Sequence, residues 1–131
     1  MTERQEVLRN KLLYGTDLFK TVEALRLYIQ ENEKIAAGTH DPRIVGLIRE
    51  QNLELNKEYN KLLEVRTKID KCISAVDDPE LKAILTMRYL GHISTTVIAE
   101  RLNYGRNSIN RKHKAALDYI IKIGADQFLD Y

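Results

Sequence analysis

Apolar residues recur at steps of three and four along most of the chain, the spacing of one face of an α-helix. The first such stretch covers residues 3–14, and Gly15 is the predicted interruption before a second helix over residues 17–36. The apolar stripe of that second helix consists of Leu18, Phe19, Val22, Leu25, Tyr28 and Ile29. No stretch alternates with the period of two that is typical of a strand. The pattern therefore predicts an all-α fold.

The most regular pattern lies between residues 43 and 76, where it predicts a helix of about 34 residues, about 50 Å long. Asp41 as N-cap and Pro42 at the first helical position form its start signal. Its ten heptad core positions are Val45, Ile48, Asn52, Leu55, Tyr59, Leu62, Arg66, Ile69, Ile73 and Val76. This stripe must pack either against the N-terminal helices or against a second copy, and the sequence leaves both open. Asn52 and Arg66 place polar groups in the seam, where such groups can set the register of a homodimer through residues 43–76.

A second start signal follows at Asp78 and Pro79 and predicts a helix to about Leu90. Gly91 and His92 end that helix, and Ser94 is the predicted N-cap of the next.

Residues 94–120 have the apolar spacing of a helix-turn-helix. Ala99 is small where two helices must approach closely, and Asn103 tolerates the left-handed conformation where the chain must reverse. The apolar residues around the turn are Ile98, Leu102, Tyr104 and Ile109. We therefore divide the chain into a helical or coiled-coil interaction region, 1–77, and a helix-turn-helix domain, 78–131.

Positive charge is concentrated in the second of these regions, although the net charge of the chain is only +2. Residues 1–78 contain 13 Lys and Arg against 14 Asp and Glu, whereas residues 79–123 contain eight against three. Residues 101–114 carry five positive charges and no negative one. A charged run is often only a solvated helix face, but such a local excess is also typical of a polyanion-binding surface.

The helix after the turn shows which side chains are candidates for DNA contacts. In a helix-turn-helix the outward face of the second helix enters the major groove, with its N-terminal residues nearest the bases. Arg pairs with guanine and Asn with adenine, while Ser and Lys more often bind phosphate. The predicted DNA-binding residues are Thr95, Thr96, Arg106, Asn107, Ser108, Asn110, Arg111 and Lys114. The predicted inward face consists of Ile109, His113, Ala116, Leu117 and Ile120.

A family resemblance rests on residues 80–120, ELKAILTMRYLGHISTTVIAERLNYGRNSINRKHKAALDYI. This segment resembles the promoter-reading region of bacterial primary sigma factors, and more closely the phage-encoded sigma-like regulators of the ArpU and RinA type. The matching stretches are residues 87–90, residues 98–102, Ser108 and Ile109, and residues 114–117. The resemblance implies a transcription regulator of phage late genes that binds double-stranded DNA in the cytoplasm of a bacterial host. It also implies host RNA polymerase as a partner.

The sequence contains no motif for a disulfide, a metal site or a catalytic site. Cys72 is the only cysteine, which excludes an internal disulfide and a cysteine-based zinc site, and we expect it to be a small buried hydrophobe. His40, His92 and His113 have no metal-ligand spacing, and no phosphate loop or nucleophile motif occurs. We therefore expect no catalytic site, no metal and no cofactor. The sequence has no run of about 18 apolar residues, so it predicts no membrane span. The N-terminus is polar and does not resemble a signal peptide, and both features favour a cytoplasmic location.

Two alternative functions belong to other classes. A phage terminase small subunit also combines a helix-turn-helix with a long oligomerising helix, but serves genome packaging as a ring. A helical interaction protein would bind its partner through the long helix and carry a vestigial helix-turn-helix.

Overall fold

The computed structural model describes residues 1–131 and contains helices and turns but no β-strand, so the predicted all-α class is confirmed. In chain order the helices are α1 (Glu3–Gly38), α2 (Pro42–Ser74), α3 (Pro79–Leu85), α4 (Thr95–Leu102) and α5 (Arg106–Lys122). A π-helical turn (Thr86–Leu90) continues α3, and a 3₁₀ turn (Ala125–Phe128) follows α5.

Helix α1 passes through Gly15 without a break, so the prediction of two helices over residues 3–14 and 17–36 is wrong. A single glycine costs about 1 kcal/mol relative to alanine in a helix but leaves the backbone hydrogen bonds in place. Gly15 is buried, and a Cβ atom on it would collide with the Cδ1 atom of Ile69 and lie 3.3 Å from its Cγ1 atom. The glycine therefore allows α1 to pack closely against α2 and does not end a helix.

Helix α2 spans 33 residues, which confirms the predicted long helix. Its start signal is also confirmed, because the backbone N–H of Arg43 donates to Asp41 Oδ1 at 2.9 Å. The prediction that Arg66 lies in the apolar seam is wrong, because its side chain is exposed. The neighbouring Val65 packs against the buried core residues instead. Burying a guanidinium removes it from water at high cost, and Val65 supplies apolar surface one position earlier.

Contacts within the chain define two compact units: residues 17–64 form one, and residues 1–16 together with 65–131 form the other. This division differs from the predicted regions 1–77 and 78–131. The difference arises because Leu8 and Leu12 of α1 and Ile73 of α2 belong to one buried cluster with residues of α5.

The unit of residues 17–64 is a helical hairpin with a cluster of three polar side chains between its helices. Asn32 is 5% exposed, and its Nδ2 group donates to Gln51 Oε1 and to Asn52 Oδ1, each at 2.9 Å. Asn52, a polar position of the heptad seam, is thus satisfied within its own chain. The buried apolar residues of this unit are Val22, Ile29 and Leu62.

The other unit has two apolar clusters. The larger contains Leu8, Leu12, Ile69, Cys72, Ile73, Val76, Leu85, Tyr89, Ala116, Leu117, Ile120, Ala125 and Leu129. Cys72 is fully buried, and burial raises the pKa of its thiol to about 12, in agreement with its predicted role as a small hydrophobe. The smaller cluster contains Ile84, Ile98, Ala99 and Ile109 and joins α3, α4 and α5.

The capping predictions for α3 and α4 are confirmed. Asp78 Oδ1 accepts from the backbone N–H groups of Glu80 and Leu81 at 3.0 Å each. The π-helical turn ends at Leu90, and His92 follows with a left-handed φ of 57°. Ser94 Oγ then accepts from the N–H of Val97 at 3.3 Å and caps α4.

The contact between Gly15 and Ile69 predicts an unusual response to alanine. We expect Gly15→Ala to lower the free energy of unfolding by about 1–2 kcal/mol, because displacing Ile69 in a packed core outweighs the gain in helix propensity. In an Ile69→Val background, which removes the Cδ1 atom, the same substitution should cost clearly less. Urea denaturation of the single and double variants measures this coupling.

The matched control is Gly46→Ala in α2, because a Cβ atom there meets nothing within 4 Å. This variant should be more stable than the wild type by up to about 1 kcal/mol. Equal stabilisation by alanine at both glycines would contradict the proposed role of Gly15.

Candidate nucleic-acid interface

The turn between α4 and α5 is held by backbone geometry. Asn103 adopts the left-handed conformation, with φ 58° and ψ 41°, which asparagine tolerates better than most residues. Its N–H donates to Glu100 O at 3.3 Å, and the N–H of Tyr104 donates to Ala99 O at 2.9 Å. The predicted chain reversal at Asn103 is confirmed, and the backbone groups at the end of α4 are satisfied.

The smaller apolar cluster lies behind this turn and sets the direction of α5. Ile98 and Ile109 are buried, and Ala99 allows the two helices to approach closely. Leu102 and Tyr104 pack against these residues from either side of the turn. The orientation of the exposed face of α5 is therefore fixed by the packing between α4, the turn and α5.

Helix α5 begins without a side-chain cap. Gly105 is its N-cap residue, and no side chain accepts a hydrogen bond from the first-turn N–H groups. No acidic residue lies in that turn. Neither a capping side chain nor a carboxylate of the first turn thus compensates the positive end of the helix dipole, which is favourable for an anionic ligand.

The eight predicted contact residues divide into two groups. A groove of about 500 Å³ between α4 and α5 brings together four of them, which are Thr95, Thr96, Arg106 and Asn110. The other four do not line this groove. Asn107 and Arg111 are exposed on α5, Ser108 is half-buried and accepts from Arg111 Nη2 at 3.5 Å, and Lys114 lines a neighbouring cavity.

The groove also contains Glu100, which the sequence analysis did not include. Glu100 follows Thr96 by four residues on α4, so helical spacing alone would have placed both on one face. Its carboxylate puts one negative charge in a groove whose other lining residues are basic or neutral.

Lys112 differs from the other cations of residues 101–114. Its Nζ atom lies 2.5 Å from Glu80 Oε1 and 5.0 Å from the centre of the Tyr104 ring. The hydroxyl of Tyr104 donates to Glu80 Oε2 at 2.6 Å. The hydrogen bonds from Lys112 and then Tyr104 lower the pKa of the Glu80 carboxyl. Lys112 therefore links α5 and the turn to α3, and its charge is matched within the chain.

Four cations of this segment have no ion pair within the chain. They are Arg101, Arg106, Arg111 and Lys114, and all four side chains are exposed. The nearest acidic residue further along α5, Asp118, pairs with Lys122 at 3.1 Å. The positive charge on the exposed face of α5 is thus directed to solvent.

His113 lies on the inward side of α5, as predicted, and meets Tyr89 of the π-helical turn. The Tyr89 hydroxyl and His113 Nε2 share a hydrogen bond of 2.6 Å. Burial, and then the charges of Arg88 and Arg9, lower the pKa of His113 to about 4, and burial raises the pKa of Tyr89 to about 12. Both groups are therefore neutral at pH 7.

No group of three or more His, Cys, Asp or Glu side chains is arranged to hold a metal ion. None of the helices combines the length and apolarity that a membrane crossing requires. Comparison with protein-family models, with curated proteins and with solved structures finds no match.

The buried His113 predicts a pH dependence of stability. Its pKa of about 4 in the folded chain lies below the ordinary 6.5, so between these values the unfolded chain binds more protons. Stability should be fully present above pH 6.5 and decrease as the pH falls towards 4, by up to about 3 kcal/mol.

Urea denaturation at intervals between pH 4 and 7 measures this effect. His113→Gln keeps a polar group near the Tyr89 hydroxyl but cannot titrate, so the difference between the two proteins isolates the imidazole. Parallel stability curves for the wild type and this variant would show that His113 does not carry the effect.

Proposed function

We propose that this protein is a sequence-specific DNA-binding transcription regulator, with a helix-turn-helix built from α4 and α5 and with no enzymatic activity. The observation that carries the proposal is the exposed face of α5 between Arg106 and Lys114. That face has basic and amide side chains, no acidic residue and an uncapped helix start. The packed corner beneath it gives the helix a defined direction, which base recognition requires.

The proposed docking places α5 in the major groove, which is about 12 Å wide and admits a helix. Arg106, Asn107 and Asn110 lie in the N-terminal part of α5 and are assigned to base edges. The residues assigned to the DNA backbone are Thr95, Thr96, Ser108, Arg111 and Lys114. Thr95 and Thr96 suit this role because they open α4, and helix starts bind phosphate well.

Glu100 supports the assignment of the groove to bases. A carboxylate repels phosphate but accepts from the amino group of cytosine. Glu100 and Arg106 line the same groove, so phosphate is disfavoured and base edges are favoured near these two side chains, while the assigned phosphate contacts of Thr95 and Thr96 lie at the start of α4.

The proposal extends to the regulator class that residues 80–120 resemble. In that class the protein activates phage late genes at a promoter together with host RNA polymerase in the bacterial cytoplasm. A single helix-turn-helix contacts few base pairs, so useful specificity requires a second copy or the polymerase. A homodimer through residues 43–76 stays a prediction.

The first test removes two assigned base contacts, Arg106 and Asn107, together with the assigned backbone contact Arg111. Replacing Arg106, Asn107 and Arg111 together by alanine should weaken binding to the preferred site at least about 100-fold, because one good base contact contributes about 1–3 kcal/mol. The preferred site is obtained by selection from random double-stranded DNA, and affinity is measured by fluorescence anisotropy.

The matched control replaces Arg43, Arg49 and Asn56, exposed residues of α2, by alanine and so changes composition and charge equally. It should bind DNA as the wild type does. An unchanged affinity of the α5 variant would contradict the proposed function.

The second test uses two lysines of one helix. The logarithm of the binding constant should fall with the logarithm of salt concentration at a slope of about −4 per subunit, because residues 101–114 contain four unpaired cations. Lys114→Met should reduce that slope by about 1, whereas Lys112→Met should leave it unchanged because Glu80 already pairs with Lys112. A wild-type slope near zero would mean that the basic face binds no phosphate, and equal effects of both variants would contradict the distinction between these lysines.

A further inference from the structure

A second cavity, of about 360 Å³, adjoins the groove between α4 and α5. Thr95 and Asn110 line both, so the two are neighbours on one surface. Three cations from three elements line the second cavity: Arg9 of α1, Arg88 of the π-helical turn and Lys114 of α5. No acidic side chain lines it.

Arg9 is the unusual member of this set. Its Nε atom is buried and has no hydrogen-bond partner. Buried donors without an acceptor are rare in folded proteins, and guanidinium remains charged at every ordinary pH. No side chain of the chain forms an ion pair with Arg9 either, so at the wall of this cavity its guanidinium charge is available to an anion with several acceptor oxygens.

Two neutral ring side chains also line the cavity. Tyr89 and His113 line it and hydrogen-bond to each other. The charges of Arg9 and Arg88 both lower the pKa of His113, so both guanidinium groups lie close enough to its ring to act on it. The cavity thus holds permanent positive charges that no side chain of this chain neutralises.

The cavity also has a fixed place relative to the assigned base contacts. Arg106, Asn110 and Lys114 follow one another at intervals of four on α5 and share one face. Arg106 and Asn110 line the groove, and Asn110 and Lys114 line the second cavity. An anion in the cavity would lie about one helical turn from the groove.

We propose that the cavity of Arg9, Arg88 and Lys114 is a phosphate-binding site that takes a DNA backbone phosphate beside the bases contacted by α5. The inference rests on the proposed function for the source of the phosphate. The site itself rests on the cavity, its positive charge and the unpaired guanidinium group of Arg9. It makes α1, which lies outside residues 78–131, part of the DNA interface.

The first experiment tests the site without DNA. The full chain is titrated with inorganic phosphate against chloride at constant ionic strength, and binding is followed by amide chemical shifts and by the melting temperature. We expect Arg9→Gln to raise the dissociation constant for phosphate at least about tenfold, since a charged hydrogen-bonding partner is removed. Phosphate binding that survives in Arg9→Gln overturns the proposal.

The matched control is Arg4→Gln, which removes the same charge from the same helix. Arg4 is exposed, pairs with Asp126 at 3.5 Å and does not line the cavity. Arg4→Gln should leave phosphate binding unchanged. If both variants lose phosphate affinity equally, the loss is explained by net charge alone and the proposal is overturned. Arg88→Gln provides a second cavity variant if Arg9→Gln does not fold, and it should weaken phosphate binding as well.

The second experiment identifies the source of the phosphate. Arg9→Gln should weaken binding to the preferred site and to random duplex by the same factor and reduce the salt slope by about 1, as expected for a backbone contact. If phosphate binding is lost but DNA affinity is unchanged, the assignment to DNA is overturned. If the wild type binds phosphate through Arg9 but binds no DNA, the site is supported while the proposed function fails.

Discussion

The packing of α1 and α2 against α5 in one apolar cluster is the constraint on which the rest of the molecule depends. Leu12, Ile69, Ile73, Leu117 and Ile120 are at most 2% exposed, and their burial is the main favourable term in this part of the fold. The cluster needs Gly15, because a larger residue would occupy the space of Ile69. It gives α5 a fixed inward face, and that face determines which side chains of α5 are left to solvent.

Polar contacts then determine which charged side chains of α5 are paired within the chain and which are not. On the inward side, Lys112 is paired with Glu80, and His113 is held neutral against Tyr89. On the outward side, Arg106 and Lys114 have no ion pair within the chain and line two adjoining cavities. This separation follows from desolvation, because a cation near the core must find a partner whereas an exposed cation is already solvated. The outward cations are therefore available to an external anion, and that availability supports the proposed function.

Local signals in the sequence predicted much of the fold and part of the candidate site. Asp41, Asp78 and Ser94 cap the helices that they were expected to cap, and Asn103 reverses the chain in the left-handed conformation. The same reasoning failed at Gly15, since a glycine weakens a helix without breaking it. It also did not find Arg9, which is about a hundred residues from α5 in sequence and has no pattern that links it to the turn.

By itself, the sequence determined the helical class, the helix starts, the reversal at Asn103 and the excess of positive charge after residue 78. These features depend on interactions within a few residues, so periodicity and capping are sufficient to predict them. Only the tertiary structure decided that the N-terminal end of α1 shares a core with α5, that Lys112 is paired, and that Arg9 and Lys114 line one cavity. Those outcomes depend on which distant surfaces exclude water together, and neither spacing nor composition specifies the partners in that packing.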